Sequence, residues 1–407
     1  MARRLLAILA ALLTFGFDVS GQFVVSGQFT VADGGASPIT ASAVAECVQG
    51  SSGTLCLAPA VVHVDATATT HSGSYTSLFR TLKYEWSFDD PGQGDWLYGA
   101  AALDAGWDKN YETGGVGVHV YDAAGTYQID LKVTDPAGAT DTDFTSITIV
   151  DPDTYYGSGQ TYCFANITGT GGLGGDYTGC PDQADSPVET DTDDFDTAMT
   201  TCSSGSNVKT RCLFRRGDTF LQSATVTLDA TGTNARQLGS FGTGARPIFN
   251  IGATDTKGFS GGDRWTVFGV NFARDNNTCS DKMTNECDLV GINGVSNFTL
   301  YDSASSGWFR TAGSDGSEDL VAFVEYESVT DSHLDDQPGI NKAPNSLMAS
   351  KRSIYVGSKL DKNYMGEYII RAGTSSSESP GGDKDVFSHN YMLHTNTDGG
   401  TGGDPDR

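Results

Sequence analysis

The chain has 407 residues, with 51 Asp and Glu against 25 Lys and Arg, a formal net charge of −26 and 51 glycines. An apolar share of 38% is too high for a disordered acidic tail, and the charge opposes a nucleic-acid partner held by phosphate neutralisation. Glycine-rich, lysine-poor composition of this kind fits an exported, turn-rich all-β protein with room for two domains.

The first element reads as a secretory signal over residues 1–21. Arg3-Arg4 supplies the basic start, Leu5 to Phe17 the apolar run and Val19-Ser20-Gly21 the small-residue exit, with cleavage expected near Gly21-Gln22. No later stretch reaches the ~18 apolar residues of a membrane span, so the expected location is secreted or at the cell surface. Eight cysteines fall as near neighbours: Cys47 and Cys56, Cys163 and Cys180, Cys202 and Cys212, Cys279 and Cys287. With no CxxC and no histidine at ligand spacing, zinc is not expected. An even count in an exported chain favours disulfides, and nearest-neighbour closure is the preferred pairing, although the count alone leaves connectivity open.

Residues 22–54 read as an N-terminal segment or linker, and 55–153 as a β-sandwich. Tyr84, Trp86 and Phe88 alternate with Glu85 and Ser87, and Tyr127, Ile129, Leu131 and Val133 alternate with Gln128, Asp130 and Lys132. Period-two alternation buries one strand face and wets the other. Asp89-Asp90-Pro91-Gly92 and Asp135-Pro136-Ala137-Gly138 supply turns, because proline presets φ and glycine accepts φ > 0. Taken with His119, Tyr121 and Gly125, these spaced positions resemble the polycystic-kidney-disease (PKD) repeat. That resemblance implies an immunoglobulin-like sandwich serving as a spacer or a carbohydrate- or protein-contacting module. Two departures stand out: Asp89 where the family has glycine, and an insertion from Gly94 to Gly115.

Residues 154–235 read as a connector and solenoid cap. Phe195, Ala198, Met199 and Cys202 lie at helical spacing, with Asp191, Asp193 and Asp194 toward the N-terminal end, where the helix dipole favours anions. From 236 to 407 a polar residue flanked by apolar ones recurs at Asn250, Asn271, Asn297, Ser328, Ser358 and Asn390. Just upstream lie β-rich pieces at Trp265 to Phe268, Leu320 to Val324, Ile354 to Val356 and Val386-Phe387. Self-similarity of this kind predicts stacked rungs of a solenoid, with the polar residues forming a hydrogen-bonded ladder. The runs Cys212 to Phe220 and Gly239 to Ile248, with Gly366 to Arg371 and Ser388-His389-Asn390, resemble secreted right-handed parallel β-helix proteins of the pectate-lyase-like group. The resemblance implies binding or cleavage of acidic polysaccharides. The Gly- and Asp-rich stretch from Asp398 to Arg407 lacks a closing cap, so further rungs are expected beyond it.

Several motifs match in pattern and fail in context. Gly258-Phe259-Ser260-Gly261-Gly262 matches a nucleophile elbow, but the following Trp265 onward reads as strand, not helix. Gly169 to Gly174 matches G-x-G-x-x-G outside any βαβ setting. The acidic run Asp182, Asp185, Glu189, Asp191, Asp193, Asp194 and Asp196 reads as a solvated surface, with Ca2+ as the one cofactor it suggests. The candidate catalytic set lies on later rungs: Asp331, His333, Asp335 and Asp336 in one turn, Glu367 and Arg371 at period two, and His389. A lyase needs a base beside a neutralised uronate, and a glycosidase needs two carboxylates about 5–10 Å apart. Against these stands a plain polar surface with a Glu367–Arg371 ion pair. The expected function is action on a polysaccharide or cell-surface glycan, and the rival is a non-catalytic adhesion or structural protein.

Overall fold

The computed structural model describes residues 37–49, 56–96, 108–157, 159–166, 175–181, 187–203, 209–228, 233–251, 258–260, 262–274, 288–291, 295–308, 310–313, 319–330, 345–348, 351–362, 370–373, 386–388 and 391–394. These residues form an all-β molecule in which a two-sheet sandwich precedes a right-handed parallel β-helix.

The sandwich has an outer sheet of five strands, Cys56–Leu57, Thr140–Val150, Gly125–Thr134, Lys83–Ser87 and Tyr111–Thr113 in spatial order. Its inner sheet has three: Val44–Cys47, Ala60–Asp65 and Val116–Tyr121. The alternation in Lys83–Ser87 and Gly125–Thr134 buries Tyr84, Trp86, Ile129, Leu131 and Val133 between the sheets. Residues 39–47 therefore belong to the sandwich rather than to a linker, because Val44–Cys47 pairs with Ala60–Asp65 and a disulfide ties Cys47 to Cys56. The histidines are structural here: His119 is buried, stacks on Phe88 at 4.5 Å and faces Asp90, while His71 faces Asp135 at 3.2 Å.

Asp89 follows Phe88 at φ 55°, in the left-handed region that glycine occupies without strain. Glycine, the residue that the resemblance implies here, would suit that backbone. Asp89→Gly is expected to raise stability by up to about 1 kcal/mol, read as a higher urea midpoint with an unchanged slope.

The solenoid has three parallel sheets. Sheet I contains nine described strands, running from Val188–Asp191 through Thr161–Ala165 and Thr210–Arg215 to Val386–Ser388. Sheet II has seven, from Thr219–Gln222 to Tyr391–His394, and sheet III has six, from Val226–Thr227 to Ile370–Gly373. Winding begins at Thr161, well before residue 236, since Thr161–Ala165 already pairs in parallel with Thr210–Arg215. The helix Phe195–Ser203 lays Phe195, Ala198, Met199 and Cys202 on the first rungs and closes that end of the core. Disulfides Cys163–Cys180 and Cys202–Cys212 fasten the same end; Cys279 and Cys287 lie outside the described residues.

Among the described residues the expected polar positions do not line up as a ladder. Asn271 opens a sheet II strand, Asn271–Arg274, whereas Asn297 lies in the sheet I strand Ser296–Tyr301. Asn250 stands opposite Ala273, and Asn390 is outside the described residues. What repeats instead is the tight corner between sheets I and II. Gly269, Asp302, Glu325 and Gly357 all sit there at φ between 44° and 66°, one rung above another by the strand register. Each is followed by a buried residue: Val270, Ser303, Tyr326 or Ser358. The corner selects a backbone conformation, and side-chain identity follows only loosely, so the recurring polar position meets the corner at Ser358 and misses it at Asn271 and Asn297.

Candidate functional site

The outward face of sheet I is where the sandwich and solenoid meet. In register along it run Arg211, Gln237, Thr266, Thr299, Ala322, Ile354 and Val386. The row is polar at its early end and apolar at its late end. The apolar end, with Leu320, Val324 and Val356, packs against Val48, Val61, Val118, Val120 and Trp96 of the sandwich in one cluster. The inner sandwich sheet is thus buried on both faces, one in its own core and one on the solenoid.

Polar contacts set the register of that packing. The Lys109 ammonium meets Glu325 at 2.5 Å and lies over the Trp96 ring at 5.4 Å. The Gln49 amide, held in the loop closed by Cys47–Cys56, donates to Thr266 and accepts from the Leu57 N–H. Arg352 pairs with Glu46, and the Tyr301 hydroxyl donates to Asp122 at 2.9 Å. One of these contacts, Lys109 with Glu325, comes from the Gly94 to Gly115 insertion, which also carries Trp96.

At the polar end a cleft of about 540 Å³ opens between the two parts, within the ordinary range for small-ligand sites. Asp122, Asp151 and Asp153 line it from the sandwich side, and Arg211, Gln237, Ser240, Phe241 and Phe268 from the solenoid. Sheet I fixes Arg211 and Gln237, which are both buried. Phe268 fits because its neighbour in the next rung is Gly239, where a Cβ would come within 2.3 Å of the ring. Tyr177 stacks parallel to Phe241 at 6.4 Å and backs it. Arg211 is committed, its Nε donating to Thr161 and its Nη2 to Asp153. Gln237 donates through Nε2 to the Ala58 carbonyl at 3.0 Å, while its Oε1 has no protein partner.

Asp122 is exposed at the rim, yet protein crowds its carboxyl. Burial raises its proton affinity, Glu325 and Asp90 add to the rise, and the Tyr301 hydroxyl and Lys109 oppose it. Burial, with the Asp122 charge beside it, also holds the Tyr301 hydroxyl protonated far above the ordinary tyrosine range. A carboxyl that keeps its proton longer than usual, beside others in a cleft, is the kind of group that serves as a general acid.

Of the sequence-derived candidates, Arg371 lies in the sheet III strand Ile370–Gly373, opposite Ser346. Asp331, His333, Asp335, Asp336, Glu367 and His389 lie outside the described residues. The strands bracketing the first group, Glu327–Thr330 and Asn345–Met348, pair with those bracketing Glu367, Lys359–Lys362 and Ile370–Gly373. The two connections therefore start and finish on neighbouring rungs. In the acidic run, Asp191 accepts from the Tyr177 hydroxyl and the Gly175 N–H, Asp194 from the Thr197 N–H and Asp196 from Ser223. No group of three metal-ligating side chains occurs among the described residues.

The cleft was not legible as a site in the sequence, because its lining runs from Ala58 to Phe268, 210 positions apart. One signal does exist. The strand Ala60–Asp65 reads Ala-Val-Val-His-Val-Asp without alternation, and every residue but the last is buried. A strand apolar on both faces needs a partner on each.

No family model matches the chain, and no curated protein sequence matches it. Among solved structures it is similar to the family 28 exopolygalacturonase of Yersinia enterocolitica, with 8% identity over 84% of this chain and 67% of that one, at a TM-score of 0.43. It is also similar to the catalytic domain of a GH87 alpha-1,3-glucanase in complex with nigerose, with 12% identity over 88% of this chain and 69% of that one, at a TM-score of 0.35. The β-helix here is defined by the chain's own three parallel sheets.

Proposed function

We propose that this is an extracellular glycan-directed protein of the glycoside-hydrolase type, with the cleft between sandwich and solenoid as its saccharide site. The observation that carries the reading is the convergence of three carboxylates, a buried amide and two phenylalanine rings on the lining of one cleft between the sandwich and sheet I. Aromatic faces suit the apolar face of a sugar ring, and carboxylate and amide groups suit its hydroxyls. In this reading Asp122 is the proton donor and Asp151 the second carboxylate that hydrolysis requires. Arg211 positions Asp153 through their ion pair. The disulfides agree with an oxidising compartment, and no helix among the described residues is long and apolar enough to cross a membrane. The PKD-like identity of the sandwich and the pectate-lyase-like identity of the solenoid belong to this proposal too; the second resemblance implies acidic glycans, a preference that three carboxylates on the lining do not support.

The test is incubation of the purified chain with neutral, amino and uronate polysaccharides. New reducing ends alone indicate a hydrolase, and unsaturated product absorbance indicates a lyase. Neither product, with retained binding, favours the adhesion reading. Parallel variants locate the chemistry: Asp122→Asn removes activity if it lies in the cleft, and Asp335→Asn or Glu367→Gln if it lies on the later connections.

Asp122→Asn has a second expected outcome. A carboxyl whose folded proton affinity is raised is unfavourable to folding above its unfolded pKa, about 3.9. At pH 7 the asparagine variant should therefore melt higher than the parent, with the gain fading as pH falls through the ordinary aspartate range. Lower stability at pH 7 would contradict the crowding described for this carboxyl.

A further inference from the structure

Resting on the saccharide reading of the cleft, we infer that its ligand is an aminated glycan, with a protonated sugar amine facing Gln237 and Asp151. The argument is a count of donors and acceptors. Three carboxylates line the cleft against one guanidinium, and that guanidinium is already taken by Asp153 and Thr161. Asp151 accepts one backbone N–H, from Asp153, and Asp122 one hydroxyl, from Tyr301.

Gln237 adds the deciding observation. It is 1% exposed, and its orientation is fixed because the Ala58 carbonyl can only accept, so Nε2 faces Ala58. Its Oε1 is then a buried acceptor without a protein partner, a state that is costly unless something donates to it. The Ser240 hydroxyl on the same lining is also without a partner. Among the described lining residues the positively charged donor is Arg211, which is already engaged. An ammonium group supplies three N–H donors and offsets one carboxylate. A uronate would bring a fourth carboxylate to that lining, on a chain of net charge −26. The sugar class implied by fold resemblance is therefore the one this cleft disfavours.

The test is calorimetric binding of three tetrasaccharides, of glucosamine, glucose and galacturonate, to the full chain at about pH 6, where an amine is protonated. The glucosamine tetramer should bind most tightly, weaken as salt is raised, and lose at least about threefold in affinity in Asp151→Asn, a change that keeps an N-cap residue. Gln237→Leu should weaken it further, and far-ultraviolet circular dichroism serves to verify that this variant still folds. Tighter binding of galacturonate, or glucosamine binding indifferent to salt and to Asp151→Asn, overturns the inference. Equal binding of the glucose tetramer removes the amine and leaves the glycan reading intact. If none of the three binds, the cleft reading falls as well.

Discussion

Lys109→Met is expected to lower stability by about 3–5 kcal/mol, the usual consequence of stranding one charge of a buried pair. The Lys109 and Glu325 side chains are only 10% and 7% exposed and meet at 2.5 Å where the sandwich lies on the solenoid. Methionine preserves the stem that runs past Trp96 and removes the ammonium, leaving Glu325 enclosed with no counter-ion at that contact. The double variant Lys109→Met/Glu325→Gln is expected to recover most of the loss, since neither charge then remains to be solvated. Urea unfolding of the two variants measures this. A single variant as stable as the parent would mean that water reaches the pair and that the two parts are not packed as described.

Phe249→Ala is expected to cost a similar amount, about 3–5 kcal/mol, for a different reason. Phe249 is fully buried in the solenoid, with ring centroids 4.2 Å from Phe195, 4.8 Å from Phe214, 5.4 Å from Phe272 and 6.0 Å from Phe220. Four aromatic contacts, from the rungs on either side and from the capping helix, converge on one ring, and packed sheets around it limit how far the void can close. Loss of the ring should also loosen the cap, so proteolysis within residues 195–203 is expected to quicken. A loss below about 1 kcal/mol would show that the rungs are not stacked in this register.

The parts of the fold legible in the sequence are those governed by short-range pattern. Alternation around Trp86 and Ile129 marked the sandwich strands, and the spacing of Phe195, Ala198, Met199 and Cys202 marked the capping helix. The β-rich pieces at Trp265, Leu320, Ile354 and Val386 all fall in sheet I. The amide ladder failed because the repeating constraint is a left-handed corner, met equally by Gly269, Asp302, Glu325 and Gly357. The packing of sandwich on solenoid stayed hidden because it joins residues such as Gln49 and Thr266, or Glu46 and Arg352, that no local pattern links. The unexplained insertion from Gly94 to Gly115 was the visible trace of that contact. The candidates from Asp331 to Asp336 and Glu367, which lie outside the described residues, stand out in the sequence by local density of polar groups, whereas the cleft lining is drawn from isolated residues that look ordinary in the linear chain.

The central claim is that the sandwich is built onto sheet I, so that the cleft is a fixed feature of one folded unit. Differential scanning calorimetry of the full chain tests it most directly. One transition is expected, with calorimetric and van't Hoff enthalpies that agree, moved as a whole by Lys109→Met. Two separate transitions, with only the sandwich transition shifted by that variant, would contradict it.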